Sequence, residues 1–115
     1  SIFRAARDIA HQVGARAIIV ESATGKVARA MVHFRPDVPI IAVVTSSLVC
    51  KKLCLNWGIT ALIGEEKKTS DAITKQAMEK ALSTGYFKKG DIVVVISSNR
   101  TAPTSSTDSL NVRIL

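Results

Sequence analysis

The chain has 115 residues, of which 47% are hydrophobic and 4% aromatic, and a formal charge of +7 at neutral pH. That length fits one compact domain, residues 1–115, burying about two thirds of the surface its unfolded form exposes. Its longest apolar runs, such as residues 38–44, fall far short of the roughly 20 residues of a membrane-spanning helix, and Ser1-Ile2-Phe3-Arg4 starts no signal peptide, so a cytoplasmic protein with no membrane partner is expected.

Residues 2–13 set Ile2, Phe3, Ala6, Ile9, Ala10 and Val13 at helical spacing, and Gly14 supplies a left-handed stop. "RAIIVE" then reads as a strand covered on both faces, because it is short, nearly unbroken in its apolarity and rich in β-branched residues. After the turn Ser22-Ala23-Thr24-Gly25, the spacing predicts a helix from Lys26 to Phe34 with Val27, Ala30, Met31 and Phe34 inward, stopped by Pro36. "VPIIAVV" is the second strand. Hydroxyls of Thr45-Ser46-Ser47 can cap a third helix carrying Leu48, Val49, Leu53 and Trp57 and closed by Gly58, and "ITALIG" comes next as the third strand. Beyond the charged loop "GEEKKT", Ser70 caps a fourth helix whose inward stripe is Ile73, Ala77, Met78, Ala81 and Leu82, ended by Gly85. "IVVVIS" is a fourth buried strand, and "SLNVRIL" alternates as a half-exposed strand does. Strands alternating with helices predict an α/β three-layer sandwich: a mixed five-stranded sheet, four strands parallel and the C-terminal edge strand antiparallel, with helices on both faces.

Open sheets of this kind bind ligands beyond the carboxyl ends of their strands. Ser22, Ala23, Thr24, Gly25 and Lys26 fall at such a place, and free N–H groups, two hydroxyls and a lysine at a helix start suit a phosphate. The same residues equally form a routine N-cap turn, and both readings stand. A nucleotide-hydrolase loop, G-x-x-x-x-G-K-[ST], is excluded by Val20 and Val27, and no G-x-G-x-x-G fingerprint occurs. No catalytic set is legible: neither His11 nor His33 has an acid or serine placed by sequence to complete a triad, and Glu65-Glu66 are adjacent loop residues. No metal set is legible either, because zinc would need two ligands beyond Cys50 and Cys54, which read as buried reduced thiols. The lysine pairs Lys51-Lys52, Lys67-Lys68 and Lys88-Lys89 are dispersed and few aromatics accompany them, so they read as solvated surface and not as a nucleic-acid interface.

The runs "ARAIIVESATGKVARAMVHFRPDVPIIAVVTSS", "NWGITALI", "GYFKKGDIVVVIS" and "TDSLNVRIL" resemble, in order and over essentially the whole chain, the C-terminal domain of pyruvate kinase. The most specific pieces are Ala28-Arg29 ahead of Phe34-Arg35-Pro36, the strand Pro39-Ile40-Ile41-Ala42-Val43, Trp57-Gly58, and Lys89-Gly90-Asp91. The resemblance implies a mixed five-stranded α/β domain that stands apart from the catalytic barrel, where phosphoenolpyruvate, ADP, magnesium and potassium meet. It implies no cofactor in this domain and no phosphoryl transfer by it alone, only binding of allosteric effectors and joining of subunits in a tetramer. Residues Ser22 to Lys26 match the family's effector-phosphate loop, with Asn99 and Arg100 as a weaker second loop. The last strand has no later segment to cover its outer edge, so Leu110, Asn111, Val112, Arg113 and Ile114 are expected to pair with a second copy about a two-fold axis.

Relatives that respond to fructose 1,6-bisphosphate carry a serine or threonine, an arginine, a tryptophan and a glycine-rich loop where this chain has Val27, Ile73, Glu66 and the glycine-free "SSNRTAPTSST". Each change removes a donor or a close backbone approach, and Glu66 would repel a phosphate, which leaves a sugar monophosphate as the expected effector. The alternative is a free-standing phosphate-binding α/β module without a barrel partner. Ser1 entering a helix with no initiator methionine argues for a piece of a longer chain.

Overall fold

The computed structural model describes residues 2–21, 26–34, 36–55, 58–65, 70–98 and 107–115; the side chains of Lys26, Ser70, Ser98 and residues 107–109 lie outside that description. Four helices and five strands alternate: α1 (Ile2–Val13), β1 (Ala17–Glu21), α2 (Lys26–His33), β2 (Ile40–Val44), α3 (Ser47–Leu53), β3 (Ile59–Ile63), α4 (Ser70–Ser83), β4 (Ile92–Ser98) and β5 (Thr107–Ile114). One sheet runs in the order β3-β2-β1-β4-β5, parallel throughout except for the antiparallel β4–β5 pair.

Alternation along the strands divides the core in two. Ile18, Val20, Ile40, Ala42, Val44, Val94 and Ile96 pack with Ala6 and Ala10 of α1, Ala28 and Met31 of α2 and Leu53 of α3. Ala17, Ile19, Ile41, Val43, Val93 and Val95 pack with Ala77 and Ala81 of α4 and with Phe87. Helices therefore cover both faces, three against one. Crossover handedness explains the split: from β1 to β3 the sheet grows one way, with α2 and α3 on one face, and the return to β4 reverses direction, so a right-handed crossover carries α4 over the other. Small residues, Ala6 and Ala10 on α1 and Ala77 and Ala81 on α4, let helices sit close to the sheet. Each fully buried isoleucine beneath them, such as Ile18 or Ile41, contributes about 1.5–3 kcal/mol.

Several inward assignments shift by a position. Val49, Cys50 and Leu53 form the packed stripe of α3, which turns Leu48 outward to 61% exposure. In α2 the buried small residue is Ala28, with Ala30 only half-buried. Met78 and Leu82 of α4 stay half-buried beside β5, and Val13 at the end of α1 is 37% exposed. Helix ends obey the expected chemistry: Ser46 caps α3 by accepting from the Val49 N–H at 3.4 Å, and Gly14 after α1 has φ of 68°. Trp57 lies outside the described residues.

Candidate functional site

Strand order reverses between β1 and β4, the neighbours from which the chain departs in opposite directions, and such a switch point leaves a crevice beyond the carboxyl ends. Both candidate loops come after these two strand ends in the chain. Ser22, Ala23, Thr24 and Gly25 stand directly after β1 and lie outside the described residues, as do Asn99 and Arg100 after β4; Lys26 opens α2 with its side chain likewise outside.

The frame around them is described. Glu21, the last residue of β1, is only 3% exposed and pairs in register with Val43 of β2. On the other side Val20 pairs with Ile96, so Glu21 at the end of β1 lies level with Ser97, the penultimate residue of β4 and itself 1% exposed. Sequence reasoning misses this buried carboxylate and hydroxyl at the root of the two loops, although a glutamate closing the apolar run "AIIV" is the available signal. Val27 packs against the core and Ile73 is 2% exposed, so both side chains serve packing; Glu66 lies outside the described residues.

The C-terminal strand forms one of the sheet's two edges, paired only with β4 among the described strands, as β3 is with β2 at the other. Leu110 packs against the larger core cluster, while on the same face Val112 is 42% and Ile114 65% exposed. Asn111 and Arg113 alternate onto the α4 face, where Arg113 lines a groove of about 310 Å³ with Asp71, Thr74, Lys75, Met78 and Leu82. The strand's end is anchored: the Leu115 N–H donates to the Asp91 carbonyl at 2.8 Å and the Gly90 N–H donates to the Leu115 carbonyl at 2.7 Å.

Tertiary structure also joins residues that the sequence keeps apart. His11 Nδ1 lies 3.1 Å from Asp37 Oδ2, both well exposed, in a shallow depression with Arg7, Asp8 and Gln12. None of those residues carries a hydroxyl or thiol, so the pair lacks the nucleophile of a triad. The expectation of two buried thiols needs correction. Cys50 is half-buried, but Cys54, at the C-terminal end of α3, is exposed, because the helix stops at Leu53 and the chain turns toward solvent from there. Burial pushes the Cys50 thiol above its ordinary value, helped by the neighbouring Cys54.

This arrangement defines a class: a doubly wound α/β domain with an antiparallel edge strand and a topological switch point between β1 and β4. Within that class, residues 1–113 match the family described as "Pyruvate kinase, alpha/beta domain", and the chain belongs to that family. It is 37% identical over 101 residues to the pyruvate kinase of Clostridium acetobutylicum, covering 88% of this chain and 21% of that protein. It is similar also to the pyruvate kinase of Geobacillus stearothermophilus, 30% identical over 99 residues, 86% of this chain and 17% of the relative. With the pyruvate kinase of Sporosarcina psychrophila the match spans the whole chain at 24% identity and 20% of the relative. The chain thus spans about a fifth of the length of the curated relatives it matches.

Proposed function

We propose that this chain is the regulatory and subunit-assembly domain of a cytoplasmic pyruvate kinase, the glycolytic enzyme that transfers a phosphoryl group from phosphoenolpyruvate to ADP. The observation that carries this reading is the family match over residues 1–113. The chemistry belongs to a separate barrel domain, its covalent partner, which would hold the magnesium and potassium; residues 1–115 act as one domain without a cofactor of their own.

The effector site is Ser22, Ala23, Thr24, Gly25 and Lys26, with Asn99 and Arg100 on the adjoining loop. Two things support it: the loops come after the strands on either side of the switch point, and α2 begins immediately after the first of them, so unpaired N–H groups and the positive end of a helix are near. A sugar monophosphate fits better than a bisphosphate. Val27 and Ile73 are committed to packing, and their side chains offer no donor to a second phosphate.

Assembly runs through Leu110 to Ile114, whose open edge and exposed Val112 and Ile114 suit a second copy about a two-fold axis in a tetramer. Calorimetry with ribose 5-phosphate, glucose 6-phosphate and fructose 1,6-bisphosphate tests the effector reading. Heat is expected with a monophosphate and none after Lys26→Glu, which replaces attraction by repulsion at contact range. No heat with any of the three returns the turn to a plain N-cap, and tight bisphosphate binding overturns the monophosphate preference. In a coupled assay the chain alone should not turn over phosphoenolpyruvate with ADP; turnover above a blank would contradict the separation of roles.

A further inference from the structure

Cys50 and Cys54 stand one turn apart at the end of α3. The Cys54 N–H donates to the Cys50 carbonyl at 3.1 Å, which holds a regular helical turn between them and puts both side chains on one face. The Cys50 Sγ lies 3.6 Å from the Ala61 carbonyl oxygen of β3, and Cys54 faces solvent. One thiol is thus seated against the sheet and the other is accessible from outside.

Three chemistries compete for such a pair. A disulfide needs Cβ atoms about 3.5–4.5 Å apart, whereas positions i and i+4 of a helix hold them about 5–6 Å apart, so a direct bond would have to open the turn. A reactive thiolate is opposed by its place, since the carbonyl end of a helix repels negative charge and Cys50 is partly desolvated. A bridging cation needs no direct sulfur–sulfur bond and cancels one of the two thiolate charges. Two metal–sulfur bonds of about 2.3 Å, the zinc–thiolate length, set the sulfurs up to roughly 4.6 Å apart, a span the helical pair can hold without opening. Zinc wants four ligands, and among the described residues no group of three or more His, Cys, Asp and Glu could hold a metal ion. Two soft ligands alone suffice for a two-coordinate, thiophilic ion.

The geometry points to Cys50 and Cys54 as a two-thiol site for a soft monovalent cation of the Cu(I) type. Two S–H bonds are exchanged for two S–Cu bonds, both protons go to solvent, and the product is a singly negative bis-thiolate. Lys51 and Lys52 in the same turn supply positive charge beside it.

The test is anaerobic titration of the reduced protein with Cu(I) against a chromophoric Cu(I) chelator. One ion per chain is expected, with thiolate-to-copper absorption in the ultraviolet. Cys54→Ser, at an exposed position that leaves the core untouched, should weaken binding by more than the roughly 10–100-fold that loss of an outer-shell partner costs. Cys50→Ser, checked for folding by circular dichroism, should do the same. Equal affinity in wild type and Cys54→Ser overturns the site, as does one ion per two chains. Rapid closure to an intrachain disulfide in oxidised glutathione overturns it too, because the sulfurs would then bond directly.

Discussion

Gln76 clamps the backbone of Glu65 from α4: its amide oxygen accepts from the Glu65 N–H at 2.8 Å and its amide nitrogen donates to the Glu65 carbonyl at 2.8 Å. One side-chain amide thereby treats this residue just beyond β3 as a neighbouring strand would and ties the third crossover to the sheet. Gln76→Leu keeps the volume but removes both bonds, and the loss should be about 1–3 kcal/mol in urea unfolding. An unchanged midpoint would mean that water replaces the clamp fully.

Gly64 lies directly under that clamp. A Cβ added there would meet Val43 Cγ1 at 2.8 Å and Gln76 Nε2 at 3.0 Å, and Val43 is a fully buried β-branched residue of the central sheet with little room to yield. Gly64→Ala should therefore destabilise by about 1–3 kcal/mol through this clash, whereas Gly58→Ala, with open space around its Cβ, costs the backbone strain of its φ of 86° instead. Thermal unfolding of both variants compares the two.

The edge strand can be tested without dismantling the sheet. Leu115 directs its N–H and carbonyl toward Asp91 and Gly90, so by alternation Arg113 does likewise toward β4 and Val112 points its N–H to the open edge. Val112→Pro deletes an outward donor and leaves the β4–β5 ladder intact. If the proposed two-fold contact forms, sedimentation should show wild type self-associating and the variant shifted toward monomer, with little change in unfolding. A wild type that stays monomeric at high concentration removes the claim.

Cysteine reactivity should divide sharply. Cys54 is exposed, while desolvation, then the charge and hydrogen bond of Cys54, raise the Cys50 thiol above 9.0. Iodoacetamide at mildly alkaline pH should label Cys54 well before Cys50, as read by peptide mass mapping. For stability the sign comes from the raised folded value: the unfolded thiol ionises first, so the contribution of Cys50 is fully present below pH 9.0 and is lost as pH climbs from there through the folded pKa. Wild type minus Cys50→Ala, measured across that window, should show the decline.

Local pattern determined a great deal here. A five-residue apolar run such as "AIIVE" or "IIAVV" can be covered only by burial on both faces, so parallel strands, and helices between them, were legible from period and β-branching alone. The stops at Gly14 and Gly85 reflect backbone freedom, since both adopt positive φ. What periodicity encodes is which face of an element is apolar, never which element lies against it. Hence the order β3-β2-β1-β4-β5, the three-to-one division of helices and the switch point between β1 and β4 emerged only when crossover handedness and packing acted over the whole sheet. The same holds for sites. Helix starts have local chemistry, which is why the sequence alone suggests residues 22–26 as a candidate turn; Ser22 to Gly25 lie outside the described residues. The burial of Glu21 beside Ser97, the His11–Asp37 contact across 26 positions and the exposure of Cys54 all depend on neighbours that are distant in the chain or on where a helix ends.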